Sequence, residues 1–194
     1  LLRRRLSPLG RGLLHGAERV AGDLPEVRSV FASQHGDVAR TLPILADIAQ
    51  GLEASPTQFS MSVHNASAGV WSIVREDRSA STSVAAGDET FGWGLLEALA
   101  LLEAYGGAPV LFVYGDDALP ALVTGFEPRQ APLHCIALLL GQPAQRQLRL
   151  RRAGPATGEA APLPQSLHAL RALGGAPWPE AWPGRSGTRA WRLE

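Results

Sequence analysis

The sequence predicts an α/β fold, in which helices cover both faces of a sheet of buried strands. Two short runs, residues 110–114 (VLFVY) and 134–140 (HCIALLL), are continuously apolar, as strands covered on both faces are. Between the candidate strands, apolar residues recur every three or four positions, which indicates amphipathic helices. The length of 194 residues fits one large domain or two small ones and allows a substantial core.

The first third of the chain predicts a helix, a strand and a second helix. Ser7 followed by Pro8 is typical of a helix N-cap and first helical position, and predicts a helix over 8–21. A run rich in Val and Phe predicts a strand over 27–32. Apolar spacing then predicts a helix over 41–52, whose start is placed just before an internal proline because proline is best tolerated in the first turn.

The rest of the chain predicts the remaining elements in order. The composition of 51–59 predicts a loop, and apolar spacing predicts a helix over 62–75. Small and β-branched residues at 80–86 (ASTSVAA) predict a strand, followed by a turn and a long apolar helix that extends to Tyr105.

Beyond the two apolar strands the pattern is less regular. Alternating residues at 147–152 predict a strand with one face open to water. The composition of 153–164 predicts a linker, and a short helix is predicted over 165–173. The tail beyond this helix is rich in Trp, Pro and Gly and shows little periodicity.

Composition excludes several classes of function. The 18 Arg and Lys residues balance 18 Asp and Glu residues, so a general binder of nucleic acid or anionic membranes is not expected. The single cysteine, Cys135, excludes an internal disulfide and a cysteine-rich metal site. The five histidines show no metal-ligand spacing, so no metal or cofactor is predicted. No apolar run reaches about 18 residues, so no membrane span is expected and a cytoplasmic protein is predicted.

Two pairs of neighbouring residues are candidates for catalytic or binding roles. His134 and Cys135 are adjacent on a predicted strand, so their side chains point to opposite faces and form a poor catalytic pair. Cys135 is therefore predicted to behave as a small apolar core residue. Asp116 and Asp117 follow an apolar strand, where they could bind a cation or act as acid and base, although a turn cap or a solvated loop is the commoner role.

A more specific arrangement is the strand at 80–86, its sharp turn and the long helix that follows. A residue at such a turn lies at a helix N-terminus, where free N–H groups and the helix dipole favour an anion. A cysteine there would be an activated nucleophile. The turn instead carries Asp88 and Glu89. Carboxylates suit this position as ordinary capping acids but are poor nucleophiles for acyl transfer.

Several motifs occur in the order found in the amino-terminal half of β-ketoacyl synthases, enzymes of the thiolase fold, which this sequence resembles. Residues 63–70 (VHNASAGV) match a helix with an Asn-x-x-Ala-Gly core, and 80–86 match the strand that leads to the nucleophile. Residues 109–117 (PVLFVYGDD) resemble the apolar strand and Gly-acidic ending of the same unit. The resemblance covers roughly residues 6–152. It implies a layered thiolase-like half, a mixed sheet with helices on both faces.

The departures from this family indicate a partner subunit. The position of the nucleophilic Cys falls on Asp88 or Glu89, and the half that carries the family's catalytic histidines has no counterpart. The chain therefore resembles a chain-length factor, the inactive subunit that pairs with a full-length β-ketoacyl-acyl-carrier-protein synthase. More narrowly, it resembles the short ketosynthase-like proteins of aryl polyene or xanthomonadin-type pathways. We divide it into a ketosynthase-like domain (1–152) and a Pro/Gly/Trp-rich extension (153–194) that packs on the same domain.

The resemblance also implies roles for particular residues. One set precedes and begins the Asn-x-x-Ala-Gly helix and would face the acyl tunnel and the partner: Phe59, Met61, Val63, His64 and Asn65. For Phe59, Met61 and Val63, ordinary core packing is an equally good explanation. A second set would pair antiparallel with the partner across the dimer axis: Ser81, Thr82, Ser83, Val84, Ala85 and Ala86.

Other interpretations remain open at this stage. The acidic acyl carrier protein is an implied partner, and Arg146, Arg149, Arg151 and Arg152 could dock it, although charges that protect an edge strand are the commoner explanation. The chain could instead be a weak malonyl-carrier decarboxylase with Asp88 or Glu89 as base. It could also be a free-standing acyl-binding protein.

Overall fold

A four-stranded mixed sheet forms the centre of the fold. The computed structural model describes residues 5–126, 131–141, 150–153, 163–176, 182–183 and 190–193. The strands of the main sheet are β1 (Arg28–Ala32), β2 (Ser81–Val84), β3 (Val110–Asp116) and β4 (His134–Leu140), in the order β2-β1-β3-β4. β1 is parallel to both β2 and β3, whereas β4 is antiparallel to β3. The described helices are α1 (Pro8–Ala21), α2 (Val38–Ala49), α3 (Pro56–Ser62), α4 (Ala66–Arg75), α5 (Thr90–Ala104) and α6 (Gln165–Leu173).

Helices cover both faces of this sheet, as the sequence predicts. Every residue of β3 is buried. Its side chains alternate, so that Leu111 and Val113 join the core under α1 and α4, while Phe112 and Tyr114 join the core under α5 and α6. The ring of Phe91 on α5 packs edge-on against Phe112, with centroids 5.5 Å apart. The predicted α/β layering is therefore confirmed.

Gly94 brings α5 close to the sheet. A Cβ atom at this position would lie 2.8 Å from the Cβ of Ala32 and 2.9 Å from Cε2 of Phe112, both closer than carbon atoms approach. The absence of a side chain therefore allows the first half of α5 to press directly on β1 and β3. This contact fixes the N-terminus of α5 relative to the strand ends.

Three predicted helix boundaries in the first half of the chain are wrong. α2 begins at Val38 and keeps Pro43 inside it; the N–H groups of Arg40 and Thr41 donate to the Asp37 carbonyl, which starts the helix before the proline. The predicted loop at 51–59 contains the start of α3, which Ser55 caps with its side chain and which Pro56 opens. The helix predicted over 62–75 begins only at Ala66, since residues 63–65 separate α3 from α4.

The C-terminal region contains a predicted helix, a strand that overlaps the predicted one at 147–152, and two strands that the sequence does not predict. α6 has the predicted bounds, and its Ala169 is fully buried in the core beneath α5. A small antiparallel sheet has the order β5-β7-β6, formed by β5 (Leu150–Ala153), β6 (Trp182–Pro183) and β7 (Ala190–Leu193). Residues 147–149 of the strand predicted over 147–152 lie outside the described residues, as do Arg146 and Arg149. The division at residue 152 stays a prediction.

Within the described part of the chain, no helix combines the length and apolar character needed to cross a lipid bilayer.

Candidate functional site

The carboxyl ends of β1, β2 and β3 meet at one edge of the sheet, where open α/β sheets bind their ligands. Three segments gather there: the loop after β1 (residues 33–36, the β1 loop), the turn between β2 and α5 (residues 85–89, the β2 turn), and the end of β3. The backbone N–H of Ser33 donates to the carbonyl of Val84 at 3.2 Å, which joins the β1 loop to the end of β2.

Asp88 and Glu89 lie where the sequence predicts, at the N-terminus of α5. Glu89 occupies the N-cap position, and Oδ1 of Asp88 accepts a hydrogen bond from Nε2 of Gln34 at 3.2 Å. The Thr90 hydroxyl closes the β2 turn, because it donates to the carbonyl of Gly87 at 2.6 Å and accepts from the backbone N–H of Ala86 at 2.8 Å. The turn is thus held from both ends, with the two carboxylates half-buried within it.

A residue of α6 completes the N-terminus of α5. The buried Gln165 accepts a hydrogen bond from the backbone N–H of Gly92 through Oε1 at 3.2 Å. Beside it, the Ser166 hydroxyl lies 2.8 Å from Nε2 of His134, whose Nδ1 lies 2.9 Å from the carbonyl of Pro132. Since a carbonyl only accepts, Nδ1 of His134 donates to Pro132, and the ring links this turn to α6 through Ser166. One free N–H group of the helix N-terminus is therefore already occupied from within the chain.

Asp116 forms the centre of the site, a role that the sequence analysis missed. Its buried carboxylate accepts at Oδ1 from the Ser33 hydroxyl (2.7 Å), the Gln34 N–H (2.9 Å) and the His35 N–H (3.3 Å), and at Oδ2 from the Tyr114 hydroxyl. Neighbouring Asp117 instead accepts from the backbone N–H of Ala118 at 2.8 Å, the turn-capping role considered for the pair. The available signal was a carboxylate that ends a fully apolar strand, because a buried charge needs such donors.

Burial keeps two nearby acidic groups protonated. The pKa of Tyr114 is raised well above its ordinary value, first by burial and then by the adjacent Asp116 carboxylate, so its hydroxyl remains a donor. Burial, with smaller contributions from Asp116 and Asp117, raises the pKa of Cys135 to about 11. Cys135 packs toward α1 while His134 faces α6, so the prediction that they point to opposite faces is confirmed. The thiol lies outside the site and is not ionised near neutral pH.

The five residues expected to face a partner occupy different environments. Phe59 lies on α3 with 58% of its surface exposed, whereas Met61 packs against the buried Leu6, Leu14 and Val70. Val63 and Asn65 are exposed, and Asn65 is the N-cap residue of α4. Nε2 of His64 donates to the carbonyl of Ser33 at 2.8 Å, so the α3–α4 junction touches the β1 loop. The structure thus brings His64 to the site and leaves Phe59 apart from it.

β2 lies at an edge of the main sheet. It comprises Ser81, Thr82, Ser83 and Val84, whereas Ala85 and Ala86 belong to the β2 turn. β1 pairs with one side of β2, and no described strand of this chain pairs with the other. The described residues likewise contain no group of three or more His, Cys, Asp and Glu side chains placed to hold a metal ion.

Comparisons with known proteins agree with this architecture. A family profile described as the N-terminal domain of β-ketoacyl synthase matches residues 1–192. The chain belongs to this family. Its thiolase-like fold and the predicted resemblance to ketosynthases and chain-length factors are thereby confirmed.

Solved structures of this ketosynthase group show the same fold. The chain is similar to one in the complex of the ketosynthase ApeO with its chain length factor ApeC from Xenorhabdus doucetiae, with 32% identity and a TM-score of 0.81, covering 100% of this chain and 79% of that one. The ishigamide ketosynthase/chain length factor matches at 16% identity and a TM-score of 0.58, covering 76% of this chain and 49% of that one, which shows the fold alone. Among curated proteins, none matches.

Proposed function

We propose that the chain is a non-catalytic subunit of the chain-length-factor type. It pairs with a full-length β-ketoacyl-acyl-carrier-protein synthase, completes the dimer and shapes the acyl tunnel in an aryl-polyene-type pathway. The observation that carries this proposal is the presence of Asp88 and Glu89, and no cysteine, at the N-terminus of α5. By the resemblance to ketosynthases, the nucleophilic cysteine is expected at this position.

The chemistry of the β2 turn argues against an acyl-transfer role. A thiolate at this turn would attack a thioester, whereas a carboxylate stabilised by the helix N-terminus is a weak acyl acceptor. Gln165 occupies the Gly92 N–H, one of the donors that could otherwise stabilise an oxyanion. Cys135 cannot substitute, because it lies under α1 with a pKa of about 11.

Exposed surfaces of the chain favour a stable protein partner. The edge of β2 with which no described strand pairs presents small side chains, and an unpaired edge strand is a template for pairing with another chain. Four large apolar side chains on or beside α2 and α3 are more than half exposed: Leu45, Ile48, Leu52 and Phe59. Clusters of exposed apolar side chains of this kind are typical of surfaces that a partner covers. The similarity to a chain of the ApeO–ApeC complex points to a ketosynthase as that partner.

Co-expression tests the proposal. The chain is produced with a full-length ketosynthase encoded beside its gene, and the mixture is analysed by size-exclusion chromatography with light scattering. We expect a one-to-one complex, and condensation of carrier-bound acyl groups that requires both subunits. Separate elution, together with a ketosynthase that is fully active alone, would contradict it.

A decarboxylation assay separates this function from an enzymatic one. The isolated chain is incubated with malonyl-acyl carrier protein, alongside Asp88→Ala and Glu89→Ala variants. We expect no release of carbon dioxide above the rate without protein. Release that either substitution abolishes would instead assign the acids a catalytic role.

A further inference from the structure

We infer that Asp116 is a positioning residue for the surface that this chain presents to its partner. Its carboxylate holds the β1 loop, and through that loop it fixes Asp88 and His64. The consequence for a complex rests on the proposed function, whereas all the contacts that carry the inference lie within this chain.

The first step is the set of hydrogen bonds by which Asp116 fixes the β1 loop. Three donors of consecutive loop residues, Ser33, Gln34 and His35, converge on one carboxylate oxygen at 2.7–3.3 Å. The Ser33 hydroxyl also accepts from the backbone N–H of Gly36 at 2.8 Å, which folds the loop on itself. Hydrogen bonds to a buried charge are stronger than neutral ones, and losing the acceptor would leave several donors unpaired.

The second step runs from the loop to the β2 turn through a single residue. Gln34 is held at its backbone N–H by Asp116, and its side-chain Nε2 donates to Oδ1 of Asp88. Rotating or releasing the backbone of Gln34 moves its amide group away from Asp88. The orientation of the Asp88 carboxylate therefore depends on Asp116, although the two acids share no direct hydrogen bond among the described contacts.

The third step runs from the loop to the α3–α4 junction. His64 donates to the carbonyl of Ser33, and its ring lies against Gly36, where an added Cβ would be 3.3 Å from Cδ2 of the ring. Gly36 has φ of +63°, which a side chain would strain. His64 adjoins Val63, which follows α3, so the place of this exposed segment also depends on the loop.

These three steps make one carboxylate of β3 the common support of two segments, the β2 turn and the α3–α4 junction, that the resemblance to ketosynthases places toward the partner. Asp77 provides a matched control. Its side chain is equally buried and accepts from the backbone N–H groups of Val27 (2.9 Å) and Ser79 (2.8 Å). It lies at the amino-terminal ends of the strands, opposite to the candidate site. Asp116→Ala and Asp77→Ala should therefore both destabilise the chain, but perturb opposite ends of the strands.

The test compares these two variants in the full chain, at a temperature where both are folded. Amide hydrogen exchange is measured on the isolated chain, and affinity for the ketosynthase is measured separately. For Asp116→Ala we expect exchange at Gln34, His35 and Gly36 to accelerate at least about tenfold, and ketosynthase binding to weaken at least about tenfold. For Asp77→Ala we expect faster exchange only at Val27 and Ser79, with binding changed by less than about twofold.

The outcomes decide the inference and the proposed function separately. Equal weakening of binding by both variants, or unchanged exchange in the β1 loop of Asp116→Ala, overturns the positioning role. If the wild-type chain binds no ketosynthase, the proposed function fails and the exchange data alone decide the inference. Should Asp116→Ala not fold, Asp116→Asn is used, which keeps one acceptor oxygen but removes the charge. It should accelerate exchange at Gln34 and His35 by a few-fold, and unchanged exchange overturns the inference.

Discussion

Gln165 and Gly92 are joined by a hydrogen bond across 73 positions of the sequence, from the backbone N–H at the start of α5 to the side-chain oxygen at the start of α6. An N-terminal helical N–H has no partner within its own helix. Here the partner comes from a distant helix and is itself buried. The bond ties the region around α6 to the turn that carries the candidate site.

Gln165→Ala tests the strength of this tie. It leaves the buried N–H of Gly92 without an acceptor, so we expect a loss of about 1–3 kcal/mol in the free energy of unfolding. Urea denaturation followed by circular dichroism measures it. Leu170→Ala, at a half-exposed position of the same helix, serves as the control and should cost clearly less. Equal losses in the free energy of unfolding for both variants would show that the Gln165–Gly92 hydrogen bond does not contribute to stability.

Two glycine substitutions test the close approach of α5. Gly94→Ala places a methyl group against Ala32 and Phe112, and we expect destabilisation by about 1–3 kcal/mol. Gly69→Ala, inside α4, meets no atom within 4 Å and should stabilise the chain by up to about 1 kcal/mol, because alanine favours the helix. Thermal unfolding of both variants should therefore shift in opposite directions. A shift of the same sign would contradict the packing of α5.

Alkylation of Cys135 tests its environment. With a pKa near 11, against 9.0 for an ordinary thiol, the folded chain holds about a hundredfold less thiolate at pH 8. We expect iodoacetamide to react at least that much more slowly with the folded chain than with the chain in urea. Equal rates in the two states would place the thiol in solvent.

The same thiol contributes to the pH dependence of stability. Because its pKa is higher in the folded state, its stabilising contribution is complete below pH 9 and is lost as pH rises toward about 11. Cys135→Ala should make the free energy of unfolding fall less steeply between pH 9 and 11. The comparison is made by urea titration at several pH values, and parallel curves for the two proteins would reject it.

Charged substitutions test the apolar surface of α2 and α3. Ile48 and Phe59 are more than half exposed, so Ile48→Glu and Phe59→Glu should leave the unfolding temperature nearly unchanged. They should nevertheless abolish co-elution with the ketosynthase, since a carboxylate in an apolar interface loses its hydration. Leu170→Glu on α6 is the control for added charge. Full co-elution of both α2–α3 variants would exclude this surface from the interface.

Local signals in the sequence predicted much of the fold. The Ser7–Pro8 pair fixed the start of α1, and continuous apolar runs located β3 and β4 because both strands are covered on two faces. The same signal occurs at Ser55–Pro56, but α3 is short and buries none of its residues, so no apolar spacing accompanies it. Without an apolar face, a helix shows no periodicity to detect.

The candidate site was only half predictable, for a similar physical reason. Asp88 and Glu89 adjoin a helix start, which is a local pattern. The roles of Gln34, Asp116 and Gln165 depend on partners between 54 and 83 positions away, and spacing along the chain carries no record of such contacts. The bonds that organise the site are therefore those that single-sequence reasoning misses.

The place of α6 late in the chain also sets an order of events during synthesis. Translation delivers the β2 turn and α5 long before Gln165 and the buried Ala169 that pack against them. Until α6 emerges, the Gly92 N–H faces water and the core beneath α5 lacks one wall. The packing around the N-terminus of α5 is therefore completed only after α6 has been translated.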